Sequence, residues 1–148
     1  IGWISFIVLA ASGFSEVIVA THGIENLVAV SANVLSASKF IASAVLILIG
    51  FTIVMGTGTC FGTVPILSAI YVPMCMTLGY TALGTASLIG VAAAVGDVCS
   101  PASDGTLGPT SGLNPDGQHD HIWDSTVPAV LVFSLPLFAI GVVTSAVL

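Results

Sequence analysis

The chain has 148 residues, of which 56% are hydrophobic and 5% are charged, and its formal net charge is -6. A soluble domain averages roughly 25% charged residues, so this composition excludes a water-soluble globular domain, and it is too hydrophobic for a disordered chain. The net negative charge leaves no electrostatic basis for binding nucleic acid. An integral membrane protein remains, with the lipid bilayer as its surroundings.

Both ends of the sequence lie within apolar runs. The chain opens at Ile1 with no basic segment before the first run, which is unlike a signal peptide, and it closes at Leu148 within another apolar run. We therefore expect residues 1–148 to be the C-terminal portion, or an internal piece, of a single membrane domain in a larger protein.

The apolar pattern predicts a series of membrane helices. Residues 1 to about 21 predict a first helix, residues 24–35 a short interfacial helix, and residues from about 38 to 55 a further span. No charged residue lies between Lys39 and Asp97. Because one span takes about 20 helical residues, this stretch has room for two or three crossings. We expect an all-α polytopic fold with about five crossings or half-crossings.

The first interruption of this pattern is residues 56–63, Gly-Thr-Gly-Thr-Cys-Phe-Gly-Thr. Its three glycines disfavour a helix, yet unwound backbone at membrane depth is tolerated only where protein or a water-filled cavity satisfies it. The hydroxyls of Thr57, Thr59 and Thr63, together with free carbonyls, are suited to a dehydrated Na⁺. The alternative, which the G-x-x-x-G spacing from Gly58 slightly favours, is a close-packing site between helices.

The second interruption is residues 96–106, where Asp97 and Asp104 flank Ser100 and Ser103 directly after an apolar run. A carboxylate near the bilayer interior costs about 2.5–3.5 kcal/mol or more and is a functional hypothesis by default. Either aspartate could bind a cation or carry a proton. The alternative is that both cap the next helix in interfacial water, and the sequence does not separate the two interpretations.

The remaining pattern completes a broken-helix architecture. Short apolar runs at 64–79 and 80–95 predict two short helices, residues 107–125 predict a polar loop, and residues 126–148 predict a final helix kinked at Pro136. Two helices interrupted by polar, glycine-bearing segments are the best sequence indication of a transporter binding site.

Two other kinds of chemistry are weaker. His119 and His121 have the H-x-H spacing of metal ligands, but they lie in one short loop, and a solvated loop is the favoured interpretation. A nucleophilic enzyme would need an activated serine, and the chain has no G-x-S-x-G segment. We therefore expect no enzyme.

The two interruptions together resemble the C-terminal part of NhaC-type sodium/proton antiporters, which belong to the ion transporter superfamily. The Thr/Gly-rich segment at 57–63 is similar to one upstream in the same family, and the likeness spans roughly residues 56–128. The residues that carry the second part of the likeness are Gly96, Asp97, Ser100, Pro101, Ser103, Asp104, Asp120, His121 and Pro128.

The resemblance implies a multi-pass secondary transporter of the cytoplasmic membrane that exchanges Na⁺ for H⁺, built from an inverted repeat with discontinuous or re-entrant helices. It implies cation and proton handling by Asp97 and Asp104, with Ser100 and Ser103 as ligands or supports. The three threonines of the first interruption become the matching groups of the other hairpin tip. No cofactor or metal is implied beyond the transported Na⁺ and H⁺.

The sequence departs from the family pattern at Val98, where a histidine often follows the aspartate, and at Gly105, where threonine is common. Related branches of the superfamily include amino-acid permeases. A cation-coupled amino-acid or carboxylate permease therefore stays open as the alternative function. The oligomeric state also stays open, with a homo-oligomer among the alternatives. A purely structural helix bundle is disfavoured, because it gains nothing from polar interruptions.

Overall fold

The computed structural model describes Val17, Ala20, Thr21 and residues 38–148. The helices predicted over 1–21 and 24–35 therefore fall outside the described residues, apart from three positions of the first. Every element in the described part of the chain is helical.

Five helices follow one another along the described part. They are α1 (Lys39–Thr57), α2 (Cys60–Thr77), α3 (Ala82–Cys99), α4 (Asp104–Leu113) and α5 (His121–Val147). All except α4 are long and apolar enough to cross a membrane. This confirms the predicted all-α polytopic membrane fold.

Helix α3 lies at the centre of the described part, where it contacts α1, α2 and α5. Half of its most apolar stretch is buried, against 17% for that of α5. Leu46 of α1 and Leu88 of α3 are fully buried in the core. The two helices approach closely at Gly96, where a Cβ atom would lie 2.6 Å from Cβ of Val54. A small residue is therefore needed there for α1 and α3 to pack.

One end of the bundle is closed by an aromatic residue. We call it the tyrosine end, made of Lys39, Ser43 and residues 78–81. The Tyr80 hydroxyl donates to the Lys39 carbonyl at 2.8 Å and lies 2.8 Å from the Ser43 hydroxyl, which therefore donates to it. The Lys39 ammonium donates to the Gly79 carbonyl at 2.9 Å. The turn between α2 and α3 is thereby tied to the start of α1.

The first predicted interruption is narrower than expected. The prediction of non-helical backbone over 56–63 is wrong except at Gly58 and Thr59, because α1 continues to Thr57 and α2 begins at Cys60. A glycine inside a helix costs about 1 kcal/mol, whereas an unpaired backbone group in hydrocarbon costs several. The chain therefore stays helical through the other residues of this segment.

The predicted polar loop at 107–125 is also partly wrong. Helix α4 occupies Asp104–Leu113, and α5 begins at His121, not at Thr126. Asp120 starts α5 early because its carboxylate accepts hydrogen bonds from the backbone N–H groups of Ile122 and Trp123, at 2.9 and 3.0 Å.

Two wide, π-type turns interrupt α5, at His121–Thr126 and Val130–Ser134. In each, the backbone N–H at the end bonds the carbonyl five residues earlier. Pro128 and Pro136 follow these turns within two residues. Because proline lacks an N–H and displaces the carbonyl four residues back, such turns are a common way to accommodate it.

Candidate functional site

The two helix interruptions meet in space. Gly58 ends α1 in a left-handed conformation (φ 70°), and a Cβ atom there would lie 2.9 Å from the Ala102 carbonyl oxygen. The Ser100 hydroxyl donates to the Met55 carbonyl at 3.0 Å. We call this meeting point the junction, made of residues 58–59 and 100–103. Gly58 is required there both for its backbone conformation and for the close approach.

The G-x-x-x-G interpretation of the first interruption fits only one of its two glycines. A Cβ atom at Gly62 would have Cγ2 of Thr59 as its nearest neighbour, at 3.7 Å, which is ordinary contact. Close packing therefore takes place at Gly58 and not at Gly62.

The unwound segment 100–103 is held by hydroxyl groups. The Thr106 hydroxyl lies 2.6 Å from the Ser100 carbonyl and 3.2 Å from the Ser103 hydroxyl. The Ala102 N–H donates to the Ser100 hydroxyl at 3.2 Å. Both predicted serines are completely buried. Their hydroxyls thus already form hydrogen bonds within the protein. Thr106, three residues after Ser103, also holds this turn, and the sequence analysis did not identify it.

The predicted threonines lie at the other side of the junction. The hydroxyl oxygens of Thr57 and Thr63 are 2.6 Å apart, so one donates to the other. Thr63 also donates to the Thr59 carbonyl at 2.7 Å. Thr59 precedes α2, and its side chain makes no capping hydrogen bond. The three residues therefore cluster where α1 ends and α2 begins.

Asp97 lies in the last turn of α3, beside the junction. Its carboxylate interacts with the Cys60 thiol at the start of α2. It lines an open cleft of about 270 Å³ together with Thr106, Ser125 and Phe133. Lysine and arginine together number one in the sequence. That residue, Lys39, is engaged at the tyrosine end, so this chain supplies no Lys or Arg to neutralise the Asp97 carboxylate.

Asp104, the second predicted aspartate, is the first residue of α4, and Ser103 immediately precedes it. Asp97 and Asp104 thus stand on the two sides of the unwound segment 100–103, one closing α3 and the other opening α4. Among the predicted residues, all seven belong to the junction or to a helix turn adjoining it.

His119 and His121 interact with hydroxyl groups and a carbonyl. Nε2 of His121 lies 2.7 Å from the Pro101 carbonyl, and its Nδ1 lies 2.8 Å from the Thr110 hydroxyl. Thr110 lies 2.9 Å from the Ser125 hydroxyl, which is 2.8 Å from Nε2 of His119. Three of the four ring nitrogens of these histidines thus form hydrogen bonds with hydroxyl or carbonyl oxygens. Within residues 38–148 and the three described earlier positions, no group of three His, Cys, Asp or Glu could hold a metal ion.

A second, larger cavity of about 580 Å³ lies between α2 and α3. Its lining is mostly apolar and includes Val72, Met76 and Ile89. It extends along α2 from Tyr80 at the tyrosine end to Val64, the residue after Thr63.

The model of the Na⁺/H⁺ antiporter family matches residues 1–146. A Haemophilus influenzae protein, named only as a membrane protein, is 52% identical over 93% of this chain and 31% of its own length. YuiF of Bacillus subtilis, named provisionally as an amino acid transporter, is 45% identical over 99% of this chain and 33% of its own.

A membrane protein of Vibrio parahaemolyticus is also 45% identical, over 98% of this chain and 33% of its own length. The chain therefore spans about a third of the length of the curated relatives it matches. No solved structure matches it.

Proposed function

Since the chain belongs to the Na⁺/H⁺ antiporter family, we propose that the complete protein exchanges Na⁺ for H⁺ across the cytoplasmic membrane and that this chain is the C-terminal portion of an NhaC-type member. The observation that carries the proposal is the Asp97 carboxylate, which lines a cleft beside two meeting helix interruptions. An ionisable group within a membrane span is rare and marks an ion or proton path by default.

Exchange follows from the chemistry of a single carboxylate. Na⁺ and H⁺ compete for the one negative charge of Asp97, so binding of one ion expels the other. The unwound backbone beside it supplies neutral carbonyl oxygens, which are hard ligands suited to Na⁺. Rocking of one helix group against another then exposes the same site to either side in turn.

The other residues divide by what their hydroxyls already do. Ser100 and Ser103 act as supports that hold the unwound backbone, because their hydroxyls bond within the protein. Thr59 is the better candidate for a direct ligand, and Thr57 and Thr63 orient it through the Thr59 carbonyl. Asp104 is the second proton or cation group. No cofactor and no catalysed reaction form part of the proposal.

A cation-coupled amino-acid permease is the second candidate, and the name of YuiF favours it. The same geometry would serve this function differently. The Asp97 carboxylate would pair with the ammonium group of the substrate, and the cleft of about 270 Å³ would hold its small side chain.

The two functions are separated by transport in proteoliposomes that contain the complete protein and an internal pH dye. Na⁺, Li⁺, K⁺ and a set of amino acids are added in turn under an imposed proton gradient. We expect proton movement on addition of Na⁺ or Li⁺ alone. Proton movement only when an amino acid is added would replace the antiporter by the permease.

Substitutions of the aspartates test the site itself. We expect Asp97→Asn and Asp104→Asn each to abolish exchange while expression and membrane insertion stay normal, because asparagine keeps the shape and removes the charge. Asp116→Asn is the matched control, since Asp116 lies exposed in the loop after α4, where its carboxylate accepts from the Gln118 N–H. Normal exchange in both site variants would refute the assignment.

A further inference from the structure

The cleft beside Asp97 combines one charge with apolar walls. Its lining contains a single carboxylate, from Asp97, and two hydroxyl groups, from Thr106 and Ser125. The other side chains of the lining are apolar and belong to Val98, Pro109, Ala129 and Phe133. A metal cation binds oxygen ligands and gains nothing from hydrocarbon walls. The composition of the lining therefore fits a cation that carries an apolar group of its own.

The polar groups of the cleft can accept hydrogen bonds from an ammonium group. The Asp97 carboxylate would accept a charge-assisted hydrogen bond, which is roughly twice as strong as a neutral one. The Thr106 hydroxyl donates its hydrogen to the Ser100 carbonyl at 2.6 Å, so its oxygen acts toward the cleft as an acceptor. Both groups thus suit the N–H donors of a cation.

The size of the cleft also exceeds what a bare inorganic cation fills. Its volume of about 270 Å³ equals that of about nine water molecules at roughly 30 Å³ each. Gly105 belongs to the lining, and a Cβ atom there would meet only Oγ of Ser103 within 4 Å, at 3.6 Å. The missing side chain of Gly105 therefore leaves space that a larger residue would occupy.

The aromatic member of the lining adds a second attraction for an organic cation. Phe133 lies in the second wide turn of α5, at Val130–Ser134. Turns of this type are frequent at functional sites. The face of an aromatic ring attracts an ammonium ion through its quadrupole, and the attraction is stronger where water is displaced. A carboxylate and an aromatic ring in one cleft together favour an ammonium ion over Na⁺.

The charges near the cleft disfavour a substrate that also carries a carboxylate. Lys39 is the single Lys or Arg of the sequence, and its ammonium group donates to the Gly79 carbonyl at the tyrosine end. Neither His119 nor His121 belongs to the lining of the cleft. The carboxylate of an amino acid would therefore find no cationic side chain in the described lining, and the Asp97 carboxylate would repel it.

We propose that the Asp97 cleft binds a small alkylammonium ion, with its charge at Asp97 and its alkyl group against Phe133 and Val98. The proposal rests on the proposed function, because the ammonium ion competes with Na⁺ and H⁺ for the same carboxylate. One ammonium ion enters as one proton leaves, and no covalent bond to carbon forms or breaks. Phe133 and Gly105 are then the residues that determine specificity.

Equilibrium binding to the complete protein in detergent tests the proposal. Calorimetry at fixed ionic strength and about pH 8, where alkylamines stay protonated as lysine does, compares sodium with methyl-, ethyl- and propylammonium chloride. We expect the dissociation constant to fall about fourfold with each added methylene, the effect of burying one CH₂ group. A constant that stays level or rises along the series, or Na⁺ binding more tightly than propylammonium, would overturn the proposal.

A matched pair of ligands separates this proposal from an amino-acid substrate. Isopropylammonium and alanine have nearly the same shape, but alanine has a carboxylate where isopropylammonium has a methyl group. We expect isopropylammonium to bind roughly tenfold more tightly or better, because the carboxylate of alanine would lie unpaired beside Asp97. Equal or tighter binding of alanine would assign the cleft to an amino acid instead.

Substitutions in the lining test the two specificity residues. The readout is the ratio of the dissociation constants for Na⁺ and propylammonium, which a general loss of folded protein does not change. We expect Phe133→Leu to lower this ratio about threefold or more, and Gly105→Thr to lower it by narrowing the cleft. Phe61→Leu is the control, because Phe61 is 71% exposed and lies outside the lining. An unchanged ratio in both lining variants would refute the assignment.

The binding and transport measurements can fail separately. Absence of proton movement with every cation and amino acid in proteoliposomes would refute the proposed function, while the binding series would still decide which ligand the cleft takes. Proton movement on addition of Na⁺, together with no binding of any alkylammonium ion, would refute the present proposal alone. Asp97→Asn should remove the binding of every member of the series, and full binding in this variant would place the ligand elsewhere.

Discussion

The tyrosine end and the junction close the same helices at opposite ends with different chemistry. At the tyrosine end a large buried side chain, Tyr80, binds the Lys39 carbonyl, and the Lys39 ammonium lies 5.6 Å from the centre of its ring. At the junction the backbone is unwound, and short hydroxyl side chains such as Ser100 and Thr106 bond its carbonyls.

This difference separates a structural connection from the proposed ion site. An aromatic ring fills its volume with many contacts at once, and moving it leaves a cavity that costs several kcal/mol. A hydroxyl can exchange one acceptor for another at little cost, because each bond contributes about 1 kcal/mol net. We therefore expect substitutions at the tyrosine end to change stability alone, and those at the junction to change transport as well.

The largest effect is expected at Gly58. Alanine there would adopt a left-handed conformation that costs about 1–2 kcal/mol, and its Cβ would also displace the Ala102 carbonyl. Gly58→Ala should therefore abolish transport and lower the thermal stability of the complete protein. Gly62→Ala is the control, because its Cβ meets only an ordinary contact inside a helix. Equal behaviour of the two variants would mean that the close approach at the junction is unimportant.

An intermediate effect is expected when either of two buried serines is replaced by alanine, Ser100 at the junction or Ser43 at the tyrosine end. Ser100→Ala leaves the Met55 carbonyl and the Ala102 N–H without a partner, and Ser43→Ala removes the donor to Tyr80. Each should lower the free energy of unfolding by about 1–3 kcal/mol. Only Ser100→Ala should also slow transport in proteoliposomes. A matching loss of transport in Ser43→Ala would erase the distinction between the two ends.

The smallest effect is expected at Tyr80 and depends on pH. Burial raises the pKa of the Tyr80 phenol above its ordinary value of 10.0, although the hydrogen bond from Ser43 acts in the opposite direction. Above about pH 10 the unfolded chain ionises this phenol more readily than the folded protein does, so the free energy of unfolding falls as pH rises.

Tyr80→Phe should remove part of this decrease in the free energy of unfolding at alkaline pH. At neutral pH, where the hydrogen bond to the Lys39 carbonyl is intact, the substitution should lower the free energy of unfolding by about 1 kcal/mol. Unfolding of both proteins at about pH 8 and about pH 11 measures the difference. An alkaline slope that is identical in the variant would show that another group is responsible. Transport at neutral pH should be unchanged.

The sequence was sufficient for the fold class but not for the limits of its helices. Long uncharged runs determine membrane helices because burial in lipid leaves the backbone little choice. The runs predicted at 64–79 and 80–95 became α2 and α3, displaced by a few residues at their ends. The displacement arises at Gly58–Thr59, where a two-residue break replaced the predicted eight, and at residues 100–103, where a four-residue break replaced the predicted 96–106. Glycine and proline content alone does not show how long an unwound segment is.

The site could be predicted in its residues but not in its contacts. Asp97 and the junction residues carry recognisable polar signals within apolar surroundings. The contact of Ser100 with Met55 joins residues that are 45 apart in sequence, and no local pattern encodes it. Thr110 and Ser125 were missed for the same reason, since hydroxyls in a polar segment look like ordinary loop residues until α4 and α5 bring them together.

The length of α5 determines the depth of the junction relative to the lipid headgroups. From Val127 to Val147 the helix, at about 1.5 Å per residue, matches the hydrophobic thickness of about 30 Å of a typical bilayer. Trp123, whose side chain is 70% exposed, lies just before this stretch, where indole rings favour the headgroup region. Lipid thickness therefore controls the surroundings of Asp124, because a thinner bilayer would raise that carboxylate into water and a thicker one would draw it toward hydrocarbon.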